Sequence, residues 1–149
     1  MALKVTLEQD IKTALLAGDK SKAEVLKLLK SAILYEEVAL KLREQGLSDE
    51  QIIMVFAREA KKRTESADLY KNAGDNDRAN VEMAEKTIID AYLPSQLNDD
   101  ELKKVVDDAM ADLGADAQMG QVIGAVRAKV GAGADGARIA AAVKAKLSI

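Results

Sequence analysis

Six residues near the carboxyl end, Gly-Ala-Gly-Ala-Asp-Gly at positions 131–136, follow the pattern G-x-G-x-x-G of a dinucleotide-binding turn. Such a turn needs a strand before it and an acidic residue about 20 positions later to bind the ribose. The segment before Gly131 has helical spacing, and only 13 residues follow Gly136, so both requirements fail. The pattern instead predicts a helix end and a turn, in which Gly131 and Gly133 permit positive φ and Asp135 caps the last helix.

A second stretch, Lys61–Tyr70, combines cations, a hydroxyl and an aromatic ring on one predicted helix. Lys62 and Ser66 lie four residues apart, as in a serine–lysine dyad, but nothing indicates an oxyanion hole or a pocket that would activate them. Two interpretations of this stretch stay open. Either the stripe of residues spaced by four, Arg58, Lys62, Ser66 and Tyr70, binds a phosphate backbone, or the charges form a solvated face with Tyr70 folded against the helices.

Composition excludes many reaction classes. The chain of 149 residues contains neither cysteine nor histidine, so it offers no disulfide, thiol nucleophile, imidazole base or ordinary zinc site. We therefore predict no catalytic residue, no metal ligand and no cofactor. The sequence also shows no apolar run long enough to span a membrane and no signal peptide, so we expect a cytoplasmic protein without a membrane partner.

Positive charge is concentrated at the carboxyl end. The whole chain has a net charge of −3, but residues 119–149 carry five basic residues against one acidic residue. A basic segment suggests a polyanionic partner. Because residues 119–149 hold no aromatic side chain on which bases could stack, we expect any RNA contact to be with phosphates, and we expect no DNA partner. The candidate RNA-binding residues are Arg127, Lys129, Arg138, Lys144 and Lys146, with Lys62 and Arg63 in the first half.

Apolar spacing and turn residues predict an all-α protein with two helical bundles. Four helices make an N-terminal domain over residues 1–94, and three helices make a C-terminal domain over residues 95–149. The second helix is predicted to end at Gly46. Capping boxes are predicted to begin the third helix at Ser48 and the fifth at Asn98. Gly120 and Gly124 are predicted to allow close packing of the sixth helix.

Three groups of residues, spread over nearly the whole chain, carry a family resemblance: Lys62-Arg63, Ser66, Tyr70 and Ala73-Gly74; Glu85, Ala91-Tyr92-Leu93-Pro94 and Gln96-Leu97; and Met119-Gly120, Val122-Ile123, Val130, Ala134-Asp135-Gly136, Val143 and Leu147. With a Tyr-Leu-Pro sequence between its halves and a Gly-rich helical hairpin at its end, the chain resembles the YqeY family. Members of that family are similar to the C-terminal tail of GatB, the B subunit of the tRNA-dependent amidotransferase.

The resemblance implies a two-bundle helical fold and contact with tRNA or with an amidotransferase or other translation-related protein. It also implies an association with glutamine-dependent carbon–nitrogen ligase activity, although it supplies no catalytic site. The chain shows neither a glutaminase module nor a phosphate-binding loop for ATP, so we expect no catalysis by this chain alone. The alternative is a helical adaptor that binds proteins without touching RNA. One exposed basic face at the carboxyl end would favour RNA binding, and scattered cations would favour the adaptor.

Overall fold

The structure, a computed structural model, describes residues 2–147. Within that range the regular secondary structure is helical and contains no strand, which confirms the all-α prediction. The α-helices are α1 (Ala2–Leu16), α2 (Lys20–Ala39), α3 (Asp49–Asn72), α4 (Asn76–Asp90), α5 (Asp99–Leu113), α6 (Met119–Val130) and α7 (Gly136–Leu147), with a single 3-10 turn at Gly131–Gly133. None of the helices in residues 2–147 combines the length and apolar character needed to span a bilayer.

The helices group into two compact units, Met1–Leu93 and Pro94–Ile149. The first unit contains α1–α4 and the second contains α5–α7. The units differ by one residue from the predicted domains 1–94 and 95–149. That each half folds as an independent domain stays a prediction.

Each unit has its own apolar core. The largest side chains of the first core come from all four helices of that unit and from the loop before α3: Leu7, Leu26, Leu29, Ile33, Leu47, Ile52, Phe56 and Ile89. The second core joins α5, α6 and α7 through Leu102, Val106, Val122, Val126, Ile139 and Val143.

The two predicted capping boxes are confirmed. The N–H of Gln51 donates to the Ser48 hydroxyl at 3.2 Å, and the N–H of Ser48 donates to the Gln51 side chain at 2.9 Å. Asn98 and Glu101 make the same reciprocal pair at the start of α5. Each box satisfies two N–H groups that a helix terminus leaves without intrahelical partners.

The predicted end of α2 at Gly46 is wrong, because the helix ends at Ala39. The N–H of Lys41 donates to the Val38 carbonyl at 3.1 Å, and the N–H of Leu42 donates to the Glu37 carbonyl at 2.7 Å. These bonds form a Schellman motif, in which Lys41 takes the left-handed position with φ of +59°. Because this position usually holds glycine, a lysine here does not mark the helix end in the sequence.

The glycine-rich turn matches the prediction in part. Gly131 has φ of +53°, and Asp135 caps α7 by accepting the N–H of Arg138 at 2.8 Å. Gly133, in contrast, does not adopt positive φ. It is buried, and its carbonyl accepts the N–H of Leu97 at 2.8 Å. A Cβ atom at Gly133 would meet Leu97 Cγ at 3.5 Å, an ordinary van der Waals contact, so neither the backbone conformation nor the available space requires glycine at this position.

The predicted packing role of Gly120 and Gly124 is also wrong. Both residues are exposed on α6, and a Cβ atom at either position would meet no atom within 4 Å. The apolar side of α6 that faces the core carries Val122 and Val126 instead.

Replacing Gly124 with alanine is therefore expected to raise the free energy of unfolding by about 0.5–1 kcal/mol, because alanine restricts the unfolded chain and clashes with nothing in the helix. Urea unfolding measures the change. Gly131→Ala is the matched control and is expected to cost about 1 kcal/mol or more, since its backbone has positive φ. A loss of stability in Gly124→Ala would show that this side of α6 is covered.

A buried ion pair joins α1 to α2. Glu37 is 1% exposed, and the Lys4 ammonium donates to its carboxylate at 2.9 Å. A carboxylate in such a place is tolerated because a cation neutralises it there.

The α3–α4 hairpin has a large apolar interior at one end only. Phe56 of α3 and Ile89 of α4 belong to the core of the first unit. Between Ala60 on α3 and Ile89 on α4, the only buried side chains are those of Ala67 and Ala79. The far half of the hairpin is therefore held by little apolar burial.

Tyr92, which follows α4, anchors the carboxyl end of the first unit. Its ring meets the edge of Phe56 with a centroid distance of 5.5 Å, and its hydroxyl donates to the Asp10 carboxylate. Burial raises the pKa of Tyr92 above its ordinary value, and the bond to Asp10 raises it further. Leu93 packs against the same core. This end of the unit is thus fixed by both apolar and polar contacts.

Candidate interaction surfaces

Three of the five predicted tail cations bind aspartates of α5. Lys129 Nζ lies 3.1 Å from Asp112 Oδ2, Arg138 Nη2 lies 3.0 Å from Asp99 Oδ1, and Lys146 Nζ lies 3.0 Å from Asp107 Oδ1. Arg127 and Lys144 make no ion pair within residues 2–147. The acidic stretch that precedes the basic segment in sequence therefore neutralises much of it in space.

The cations of α7 do not share one side of that helix. Arg138 and Lys146 both reach α5. Lys144 is separated from Lys146 by roughly 160° around the helix axis, because successive residues are rotated by about 100°. The arrangement is scattered rather than a single basic face, and an RNA-binding role for these residues stays a prediction.

Arg127 lies over the start of α7. A Cβ atom at Gly136 would come within 2.6 Å of its Nη2 atom, so the absence of a side chain at Gly136 makes room for the guanidinium. The N-terminus of a helix carries partial positive charge. This corner of the second unit therefore combines an arginine without an ion pair in the described residues and a positive helix end.

Lys62 and Arg63 lie in different environments although they are neighbours in sequence. Lys62 is 65% exposed in its side chain and bonds to Glu59 at 3.0 Å, not to Ser66. Arg63 is 14% exposed and joins α3 to α4, with its Nε atom 2.8 Å from Glu85. Glu59 and Glu82 lie 3.8 Å from the same guanidinium. Arg63 therefore stabilises the α3–α4 hairpin, while Lys62 remains accessible.

Replacing Arg63 with methionine is expected to lower the free energy of unfolding by about 2 kcal/mol, because Glu82 and Glu85 lose the cation that neutralises them. Lys62→Met is the matched control and is expected to change stability by less than about 0.5 kcal/mol, since exposed ion pairs contribute little. Chemical unfolding of both variants measures the difference. Equal losses would show that Arg63 is no more important to the hairpin than a surface lysine.

The exposed side of α2 carries four large apolar side chains among its polar residues. We call Leu28, Leu34, Tyr35 and Val38 the α2 face; all four are exposed, and Tyr35 is 83% exposed. Leu28, Tyr35 and Val38 are spaced by seven and three residues, which places them on one side of a helix, with Leu34 beside them.

The buried side of the same helix is also apolar, with Val25, Leu26, Leu29 and Ile33 in the core. A surface helix normally presents mainly polar residues to water, so four large apolar side chains on the exposed side of α2 are unusual for a surface that stays uncovered. The α2 face is therefore the best candidate in the described residues for a surface that a partner covers.

Comparison with protein-family models gives a match over residues 4–147 to the family described as Yqey-like protein. The chain belongs to the YqeY family. A comparison with curated proteins returned no match. Among residues 2–147 of this YqeY chain, no group of three or more acidic side chains is arranged to hold a metal ion.

Sequence reasoning missed the α2 face of this YqeY chain, although the signal was present. The stretch Val25–Val38 carries apolar residues at more positions than one buried side of a helix requires. Counting both sides of the helix, and not only the side that predicts the core, would have found it.

Proposed function

We propose that this YqeY-family protein is a cytoplasmic accessory protein that catalyses nothing alone and binds another protein through the α2 face. The observation that carries the proposal is the set of four large apolar side chains exposed on one helix whose opposite side is already buried. Covering such side chains removes them from water, which stabilises the complex by roughly 25 cal/mol for each Å² of apolar surface that is buried.

We propose further that the partner belongs to a tRNA-amidotransferase-type or other translation-related complex. The support is family membership together with the resemblance of that family to the tail of the amidotransferase B subunit. A tail of that kind works as part of a larger assembly, so a protein that resembles it needs a surface for attachment. The α2 face supplies one.

Capture from cell extract, with and without RNase, tests this function. The double variant Tyr35→Ser/Val38→Ser is expected to lose the partner by at least about tenfold, because it removes the two most exposed side chains of the α2 face. Leu16→Ser/Leu69→Ser is the matched control, since it removes two apolar side chains that are equally exposed elsewhere in the first unit. Circular dichroism confirms that both variants fold.

Two results would contradict the adaptor role. One is a partner that both double variants retain equally. The other is a partner that disappears after RNase treatment, because RNA would then be the true contact.

A second candidate function, weak tRNA binding by the second unit, is favoured by Arg127 and Lys144, which have no ion pair in residues 2–147. The partners of Arg138 and Lys129 are strongly exposed aspartates, and surface ion pairs of this kind exchange easily for other anions. Three to five phosphate contacts would give a slope of log K against log salt of roughly −2 to −4.5.

Titration of labelled tRNA at several salt concentrations tests this candidate. The variant Arg127→Gln/Lys144→Gln is expected to weaken binding and to flatten the slope by roughly 1.5, which corresponds to two lost phosphate contacts. Lys12→Gln/Lys71→Gln makes the same change of charge in the first unit and serves as the control. Absence of binding at about 50 mM salt, or identical slopes for the two variants, would exclude tRNA contact through the tail.

A further inference from the structure

A groove runs between α5 and α7 in the second unit. Residues spaced by four flank it on both helices: Asp99, Lys103 and Asp107 on α5, and Arg138, Ala142 and Lys146 on α7; all but Asp107 line the groove itself. The first residues of the two sets form one ion pair and the last residues form another, each at 3.0 Å. Along α7 these ion pairs are separated by about 12 Å, or two helical turns.

Between the ion pairs, the middle of the groove is open. There the long side chain of Lys103 on α5 lies opposite the short side chain of Ala142 on α7. The groove has a volume of about 530 Å³, and its lining also includes the buried Leu102 and the exposed Ala141 and Ala145. A volume of this size is typical of a site for a ligand.

The charges in the groove favour an anionic group. Lys103 makes no ion pair within residues 2–147, and Arg138 and Lys146 lie on the opposite side of the same groove. The Arg138 pair is weak, because its partner Asp99 has a side chain that is 99% exposed. An incoming carboxylate could therefore bind between Lys103 and Arg138 with little loss of existing interactions.

We propose that the α5–α7 groove binds an amphipathic helix of a partner protein, whose small apolar residues cover the alanines and whose single acidic side chain enters between Lys103 and Arg138. Alanines on α7 let another helix approach closely, so that its side chains enter the groove. The inference rests on the proposed adaptor function. It gives the chemistry of a second contact between the adaptor and a partner protein, in addition to the α2 face.

The acidic residues of α5 distinguish this ligand from a nucleic acid. Asp99, Asp100, Asp107 and Asp108 lie on the helix that forms one side of the groove. A phosphate backbone brings many negative charges and would meet these carboxylates along its length. A helix with one carboxylate among apolar residues places its single negative charge beside Lys103, and the rest of the helix brings no negative charge near the aspartates of α5.

Nuclear magnetic resonance of the full chain, labelled with ¹⁵N, tests the proposal with three blocked, alanine-rich helical peptides of 16 residues. The peptides differ only at their centre, which is glutamate, glutamine or lysine. We expect the glutamate peptide to shift the amides of Lys103, Ala141 and Ala145 and to bind at least tenfold more tightly than the glutamine peptide. We expect no binding of the lysine peptide.

Three variants separate the effect of charge from the effect of shape. Lys103→Gln is expected to abolish the preference for glutamate, whereas Lys104→Gln, one residue away and outside the groove lining, is expected to keep it. Ala145→Gln fills part of the groove and is expected to weaken the binding of the glutamate peptide and of the glutamine peptide by the same factor. The unperturbed amide spectrum of α6 shows that each variant is folded.

Equal affinities for the glutamate and glutamine peptides would overturn the proposal, as would shifts confined to residues outside the groove or no binding of any peptide. Tighter binding of a short RNA hairpin to the same amides would assign the groove to phosphate instead. The α2-face variant Tyr35→Ser/Val38→Ser is expected to bind the glutamate peptide normally. Failure of the groove proposal is thus distinguishable from failure of the adaptor function.

Discussion

Replacing Lys4 with methionine is expected to lower the free energy of unfolding by about 3 kcal/mol, which is a large part of the stability of a small protein. The substitution leaves the Glu37 carboxylate buried without the ammonium that neutralises it. We choose the low end of the usual range for a broken buried pair because Lys4 is itself 29% exposed. Chemical unfolding monitored by circular dichroism measures the loss.

Two further variants show whether burial causes this effect. Glu8→Gln breaks the exposed pair between Glu8 and Lys30 and is expected to cost less than about 1 kcal/mol. The double variant Lys4→Met/Glu37→Leu removes both charges and is expected to recover most of the lost stability. If Lys4→Met were as mild as Glu8→Gln, the Glu37 carboxylate would have to be solvated.

The second large effect is expected for Phe56→Ala, which should lower the free energy of unfolding of the first unit by about 4 kcal/mol. Phe56 is fully buried among four helices, and its removal leaves a cavity and also ends the ring contact with Tyr92. Hydrogen exchange resolved by peptide measures where protection is lost.

The same measurement tests the prediction of two independent domains. If they are independent, Phe56→Ala lowers protection in residues 2–93 and leaves α5–α7 unchanged, and the matched variant Ile139→Ala does the reverse. Loss of protection in both units after either substitution would show that the chain folds as one cooperative domain.

Much of the fold could be predicted because its signals are local. The Ser48–Gln51 and Asn98–Glu101 boxes act over three residues, so reading the sequence was enough to place the starts of α3 and α5. The end of α2 could not be predicted, because Lys41 adopts the left-handed backbone within a motif formed by the bonds of Lys41 to Val38 and of Leu42 to Glu37, and not through its own preference. A rule based on glycine fails where local backbone hydrogen bonds hold another residue in that conformation.

The candidate surfaces were harder to predict because they depend on distances between helices. The sequence does not indicate that Arg138 contacts Asp99, because the two residues are 39 positions apart. It also does not indicate that Arg63 lies among glutamates of both α3 and α4. Charge counted along the chain predicted a basic end, but the charges of α5 and α7 are paired in three dimensions. A count of cations therefore overestimates the positive surface that a partner meets.

The lightly packed end of the α3–α4 hairpin has a practical consequence for work on this chain. The turn at Gly74 is exposed and has φ of +82°, and the nearest buried side chains are the alanines at positions 67 and 79. Exposed turns of this kind tolerate added residues, because few contacts depend on them. A fluorescent reporter inserted after Gly74 would leave the main cores intact. The labelled chain could then be used to measure the binding of unlabelled partners.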